Sequence, residues 1–186
     1  MPKISDAKVL IISTHGFEKS ELEVPRDQLR AKGATVHVAT LDGKPVKGWE
    51  GPDWKGEAEA DLKIADANTF DYDALVIPGG QINPDLLRVE ADVIKRVKDF
   101  HNEGKVIAAV CHAPWVLAEA GIVKGRDMTS YGSIKTDIVN AGAKWQDAEV
   151  VADAGIVTSR QPDDLDAFVA KIVEEIEEGR HERKAA

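Results

Sequence analysis

The chain has 186 residues, the length of one domain with one substantial core. Hydrophobic residues make up 43% and charged residues 31%, a balance suited to a well-solvated globular protein, and no apolar run is long enough to span a membrane. A formal net charge of -9 argues against non-specific nucleic-acid binding, which needs a basic field to displace counterions from phosphates.

A single cysteine cannot close an internal disulfide, and no basic-then-apolar segment opens the chain. The expected compartment is therefore a reducing cytoplasm. Residues 8–13 (KVLIIS) form a short apolar run suited to a strand buried on both faces. Residues 14–19 (THGFEK) follow as a loop at its carboxyl end. Ser20 and Glu23 have the spacing of a capping box, which predicts a helix from Ser20 to Lys32 that Gly33 stops and Pro25 bends. Residues 35–40 (TVHVAT) alternate and are β-branched, completing a strand–helix–strand unit.

Residues 41–67 are punctuated by Asp42-Gly43, Pro45, Gly48, Gly51-Pro52 and Gly56, the pattern of hairpins or an excursion from the sheet. Trp49 and Trp54 fall here and are read as packing aromatics. Residues 74–78 (ALVIP) form the next buried strand and run into Gly79-Gly80, where close backbone approach lets N–H groups point into a site. One helix is predicted over residues 84–103, with Leu86, Leu87, Val93, Ile94, Val97 and Phe100 on one face.

The most informative stretch is KVIAAVCHAPWVLAEAG, residues 105–121. An apolar run at 106–110 leads into a short helix at 113–120, and Cys111 stands at the joint between small residues, Ala109 and Ala113. A tight strand-to-helix turn needs such neighbours, and a thiol there faces unpaired N–H groups and the positive end of a helix dipole, which predicts a lowered pKa. His112 follows as a candidate base, with no other Cys or His at ligand spacing, so no metal is expected. Glu18, on the first-strand loop, is the candidate proton donor to sulfur, whereas Glu21 and Glu23 read as first-turn acids complementing the dipole.

Further on, short strands are predicted at 128–130, 149–152 and 156–159, and helices at 134–141 and 163–178. Residues 1–186 read as one domain with its core at about 7–178 and a charged, fraying tail at 179–186. The alternation of buried strands with helices predicts a mostly parallel α/β sheet, a flavodoxin-like sandwich with helices on both faces. Its site should form beyond the carboxyl ends of the strands, where residues 14–19, 79–85 and Cys111-His112 meet.

Phe17-Glu18, FDYDALVIPGG (70–80), AAVCHAP (108–114), SYGSIKTDIVNAGAKWQDAEVV (130–151) and VTSRQPDDLDAF (157–168) together closely resemble the PfpI intracellular protease family. That family belongs to the class I glutamine amidotransferase-like superfamily, together with the Parkinsonism-associated deglycase. The resemblance implies that Cys111 is the nucleophile, His112 its neighbouring histidine, and Glu18 the buried glutamate that hydrogen-bonds the thiol. It implies that Asp85, supplied by another subunit, orients His112, that Gly79 and Gly80 form an oxyanion loop, and that Tyr131 lines the site. A homo-oligomer, a dimer or hexamer with the site at a subunit interface, is then expected, with no cofactor.

The expected activity is a stress-protective cysteine-dependent hydrolase of reactive aldehydes or their early protein adducts. The alternatives are an intracellular cysteine peptidase, which would take peptide or protein substrates, and a redox-sensing thiol protein or chaperone.

Overall fold

The computed structural model describes residues 2–183. Met1 and the last three residues of the expected tail, 184–186, lie outside the described residues. Four apolar segments set the centre of the fold: β1 (Lys8–Ile12), β7 (Ala74–Ile77), β8 (Val106–Val110) and β12 (Ile156–Ser159). Flanked by β3 (Thr35–Thr40), β6 (Leu62–Lys63) and β11 (Val150–Asp153), they form a seven-stranded sheet in the order β11-β12-β8-β7-β1-β3-β6. All pairings in it are parallel except β11 with β12, which turn on Ala154 and Gly155, both at positive φ.

Successive side chains of these strands enter opposite cores, as a two-residue period requires. Leu10, Ile12, Leu75, Ile77, Ile107 and Ala109 pack on one face, with α3 (Ala91–Asn102), α4 (Pro114–Glu119) and α5 (Lys135–Asn140). Val9, Ile11, Ala74, Val76, Val106, Ala108 and Val110 pack on the other, under α1 (Lys19–Ala31) and α6 (Leu165–Glu178). The two-faced α/β sandwich is thus the predicted one. No helix among the described residues is long and apolar enough to cross a membrane.

Several elements differ from expectation. The helix expected over 84–103 is two, α2 (Ile82–Leu87) and α3, separated by an extended Glu90. At about 100° per residue, Leu87 would point roughly 120° away from Val93 on a continuous helix. The break lets Leu87, Val93, Val97 and Phe100 all be buried. The capping box does not form either: α1 starts one residue early, Ser20 Oγ donates to Glu18 Oε1 at 3.3 Å, and Glu23 pairs with Lys19 at 3.0 Å. α1 also runs through Pro25, which leaves the Glu21 carbonyl without its helical donor.

Residues 41–67 contain the hairpin β4 (Val46–Glu50) and β5 (Asp53–Ala58), joined through Gly51-Pro52 and docked by β4 on the two-residue strand β2 (Phe17–Glu18). A separate pair, β9 (Asp127–Met128) and β10 (Lys144–Trp145), completes the strands. The described part of the tail is docked rather than frayed. The His181 N–H donates to Gly104 O at 2.8 Å, and Arg183 donates from Nε to Ala154 O at 2.5 Å and from Nη2 to Lys105 O at 2.7 Å.

Candidate active site

Register places the site. Ile77 on β7 pairs with Ala109 on β8, so two residues further on Gly79 and Cys111 leave the sheet side by side. Asn83 ties the neighbouring loops together while fully buried. Its Oδ1 accepts from Thr14 N at 2.7 Å and its Nδ2 donates to Pro78 O at 2.8 Å. β2 closes the group, with Glu18 N–H donating to Gly79 O at 3.3 Å. The three predicted stretches therefore meet beyond the carboxyl ends of the strands, as the topology requires.

Cys111 has φ of 63°, a left-handed conformation that costs a non-glycine residue on the order of 1 kcal/mol and is kept only where the surroundings enforce it. The enforcing bonds are Cys111 N–H to Ser159 O at 3.0 Å and Tyr131 N–H to Cys111 O at 2.8 Å. The strain aims the thiol out of the strand into a cavity of about 440 Å³, lined by Gly16, Glu18, Glu21, Trp49, Gly51, Gly80, Gln81, Ile82, Cys111, His112, Tyr131 and Pro162.

The carboxyl against the thiol is that of Glu21, not Glu18. Glu21 is fully buried on α1, its Oε2 accepts the Gly79 N–H at 2.9 Å, and its side chain contacts Cys111. Its Oε1 is buried with no hydrogen-bond partner of its own among the described residues, which penalises the ionised carboxylate more than the neutral acid. Burial accordingly pushes Glu21 up to about 8, so it is mostly neutral at pH 7. Glu18 lies at the edge of the cavity, half-buried, held by Ser20, with its pKa raised by burial.

The thiol does not show the simple lowering expected from a helix N-terminus. Burial pushes Cys111 up, the charge of Glu21 pushes the same way when ionised, and the N–H groups of Gly80 and His112 pull it down. With Glu21 neutral the second effect disappears and its O–H becomes a donor toward sulfur. The net direction for the Cys111 thiol is upward, against the lowering expected at the elbow, with burial as the main cause.

Adjacent side chains on an elbow commonly diverge, yet the left-handed turn at Cys111 brings His112 Nδ1 to 3.1 Å from Sγ. His112 Nε2 meets Ser133 Oγ at 3.2 Å, and its ring stacks on Tyr131 at 4.9 Å and meets the edge of Trp115 at 5.3 Å. Burial lowers its pKa, which keeps the imidazole neutral near pH 7. Asp85 is exposed on α2, and the His112 ring nitrogens meet Cys111 and Ser133 instead. Ser133 was not singled out from the sequence, nor were Gln81, Ile82 and Pro162. Trp49 both packs edge-on against Trp54 at 5.3 Å and lines the cavity.

Gly79 and Gly80 stand where expected and cannot carry side chains. A Cβ on Gly79 would collide with Glu21 Oε2 and Cys111 Cβ, and one on Gly80, at φ of 83°, with Gly16 O and Glu18 N. The Gly80 and His112 N–H groups converge on sulfur, where they favour the thiolate.

A thiol on a strained strand-to-helix elbow, with the Glu21 carboxyl and the His112 imidazole against it, thus stands at the edge of a mostly parallel α/β sheet. The chain belongs to the DJ-1/PfpI family, whose model matches residues 7–175. It is 37% identical over 166 residues to the deglycase PfpI of Pyrococcus furiosus, covering 89% of this chain and 97% of that one. It is 41% identical over 162 residues to the putative cysteine protease YraA of Bacillus subtilis, covering 87% and 93%. The crystal structure of Drosophila melanogaster DJ-1beta superposes with a TM-score of 0.83 at 32% identity, covering 96% of this chain and 95% of that one. These relatives support an enzyme of the hydrolase type.

Proposed function

We propose that the protein is a deglycase in which Cys111 is the nucleophile, removing early dicarbonyl adducts such as those of methylglyoxal from amines. The observation that carries this reading is the position of Cys111 Sγ, between the carboxyl of Glu21 and His112 Nδ1 and facing the N–H groups of Gly80 and His112. The relatives named deglycase support it, and so does the shape of the cavity. A pocket of about 440 Å³ suits a small adduct better than an extended peptide, which is why the deglycase reading is preferred to the peptidase.

In the proposed sequence the thiolate adds to the carbinol carbon that bears the amine. The C–S bond forms, the C–N bond breaks, and the amine leaves with the proton of Glu21. The Glu21 carboxylate then takes the proton from that carbon and returns it to the adjacent carbonyl carbon. As it moves, the hydroxyl proton passes from the carbinol oxygen to the ketone oxygen, which turns the ketone into an alcohol and the hemithioacetal into a thioester with no external oxidant. One water, deprotonated by His112 Nδ1, hydrolyses the thioester to lactate and restores the thiolate, and the imidazolium proton returns to Glu21. The Gly80 and His112 N–H groups stabilise the oxyanion of that step.

A homo-oligomer is part of the same proposal. Asp85 would orient His112 of a neighbouring subunit by sharing or replacing its bond to Ser133. Sedimentation of the wild type together with turnover by Asp85→Asn tests this. A monomer with full activity, unaffected by the substitution, would contradict it. The activity itself is tested by incubating purified protein with a methylglyoxal–arginine adduct and, separately, with peptides. Lactate and free amine should form, with Cys111→Ala lowering the rate by about a thousandfold or more. Peptide cleavage without lactate would favour the peptidase.

A further inference from the structure

The displacement of Glu18 from the thiol leaves it without a role in the chemistry, yet it is a half-buried carboxyl facing the same cavity. Ser20 Oγ fixes its Oε1 at 3.3 Å. Among the described residues, none that lines the cavity is Lys or Arg. The adjacent Lys19 is engaged elsewhere, 3.0 Å from Glu23 and 3.8 Å from Glu50, and no ion pair to Glu18 forms among the described residues. Trp49 and Tyr131 also line the cavity, Tyr131 with one face stacked on His112. A fixed, unpaired carboxyl beside aromatic walls has the chemistry of a cation receptor.

We propose that Glu18 is the specificity-determining residue of the cavity, receiving the guanidinium or ammonium of an arginine or lysine side chain whose adduct carbon is presented to Cys111. The proposal rests on the deglycase reading for the identity of the adduct, and on the cavity alone for its preference for cations. In an arginine adduct a nitrogen of the guanidinium is bonded directly to the carbon under attack, so a carboxylate at the edge of the same cavity can hold that charge during C–S bond formation. A neutral adduct, whether of a cysteine thiol or of a nucleobase amine, gains nothing from Glu18.

The test separates binding from turnover. Cys111→Ala protein is titrated at low salt with N-acetylarginine amide and with its neutral isostere N-acetylcitrulline amide, followed by NMR chemical shifts. The arginine derivative should bind about tenfold more tightly. Adding Glu18→Gln should remove the preference, and Glu18→Asp, which keeps the charge, should restore part of it. Equal affinities, a preference that survives Glu18→Gln, or no saturable binding of the arginine derivative would each overturn the proposal. In the active protein, Glu18→Gln should lower the ratio of kcat/KM for arginine over cysteine adducts by a similar factor, through KM. If the wild type turns over neither adduct, the deglycase reading fails, while the titration still decides the role of Glu18.

Discussion

At Cys111 the backbone and the chemistry make opposite demands. Glycine would relieve the left-handed strain, so Cys111→Gly should be more stable than Cys111→Ala by about 1 kcal/mol in urea unfolding, with neither variant active. Equal stabilities would show that the turn is not strained. Glu21 makes a second demand. Because burial raises it from 4.5 to about 8, the folded protein keeps a proton that the unfolded chain has released over that range, and stability falls as pH rises through it. Glu21→Gln removes the decline. Its stability relative to wild type should therefore improve between pH 5 and pH 8, by on the order of 1–3 kcal/mol. A constant difference across that range would mean that Glu21 is ionised in the fold. The identity of this acid was partly legible in the sequence. Glu21 stands four residues before Pro25 and eight before Leu29, on the buried stripe of α1, whereas Glu18 precedes the helix. An acid on an apolar stripe was the available signal, and the dipole argument concealed it.

Among the elements, the long strands of the central sheet were readable, whereas the two-residue strands and most connections were not. β1, β3, β7, β8 and β12 are apolar runs whose successive residues enter opposite cores, so composition alone marks them. The division between α2 and α3 was hidden because Leu86 and Leu87 fit a helical pattern coarsely; only the phase of Leu87 against Val93 betrays it. β2 is two residues long and exists because β4 pairs with it, a contact that no local pattern encodes. The Gly79-Gly80 loop was legible, since a diglycine ending a buried strand has few other uses. Gly80→Ala should destabilise the protein by on the order of 2–4 kcal/mol, because its Cβ meets backbone rather than a flexible side chain and its φ is positive. A variant with wild-type unfolding and turnover would show that the loop can yield without loss.

Across the whole molecule, the two-sided sheet brings segments nearly a hundred residues apart to one edge, and that convergence followed from topology before any contact was known. The docked tail did not, because charged residues after a helix ordinarily remain solvated. Arg183 is held low, to about 10, mainly by burial, and its hydrogen bonds to Ala154 and Lys105 tie the chain end to two loops at the end of the sheet opposite the cavity. Arg183→Ala should lower unfolding stability by roughly 1–2 kcal/mol and leave turnover intact. Unchanged stability would mean that these bonds are not retained in solution. The central claim, that Cys111 forms a covalent intermediate with a dicarbonyl fragment, is tested most directly by intact-mass and peptide mass spectrometry of protein quenched during turnover of a methylglyoxal–arginine adduct. One methylglyoxal unit should appear on Cys111, decay as lactate accumulates, and be absent from Cys111→Ala. Lactate formation at the full rate with no mass added to Cys111 at any time, or undiminished in Cys111→Ala, would contradict it.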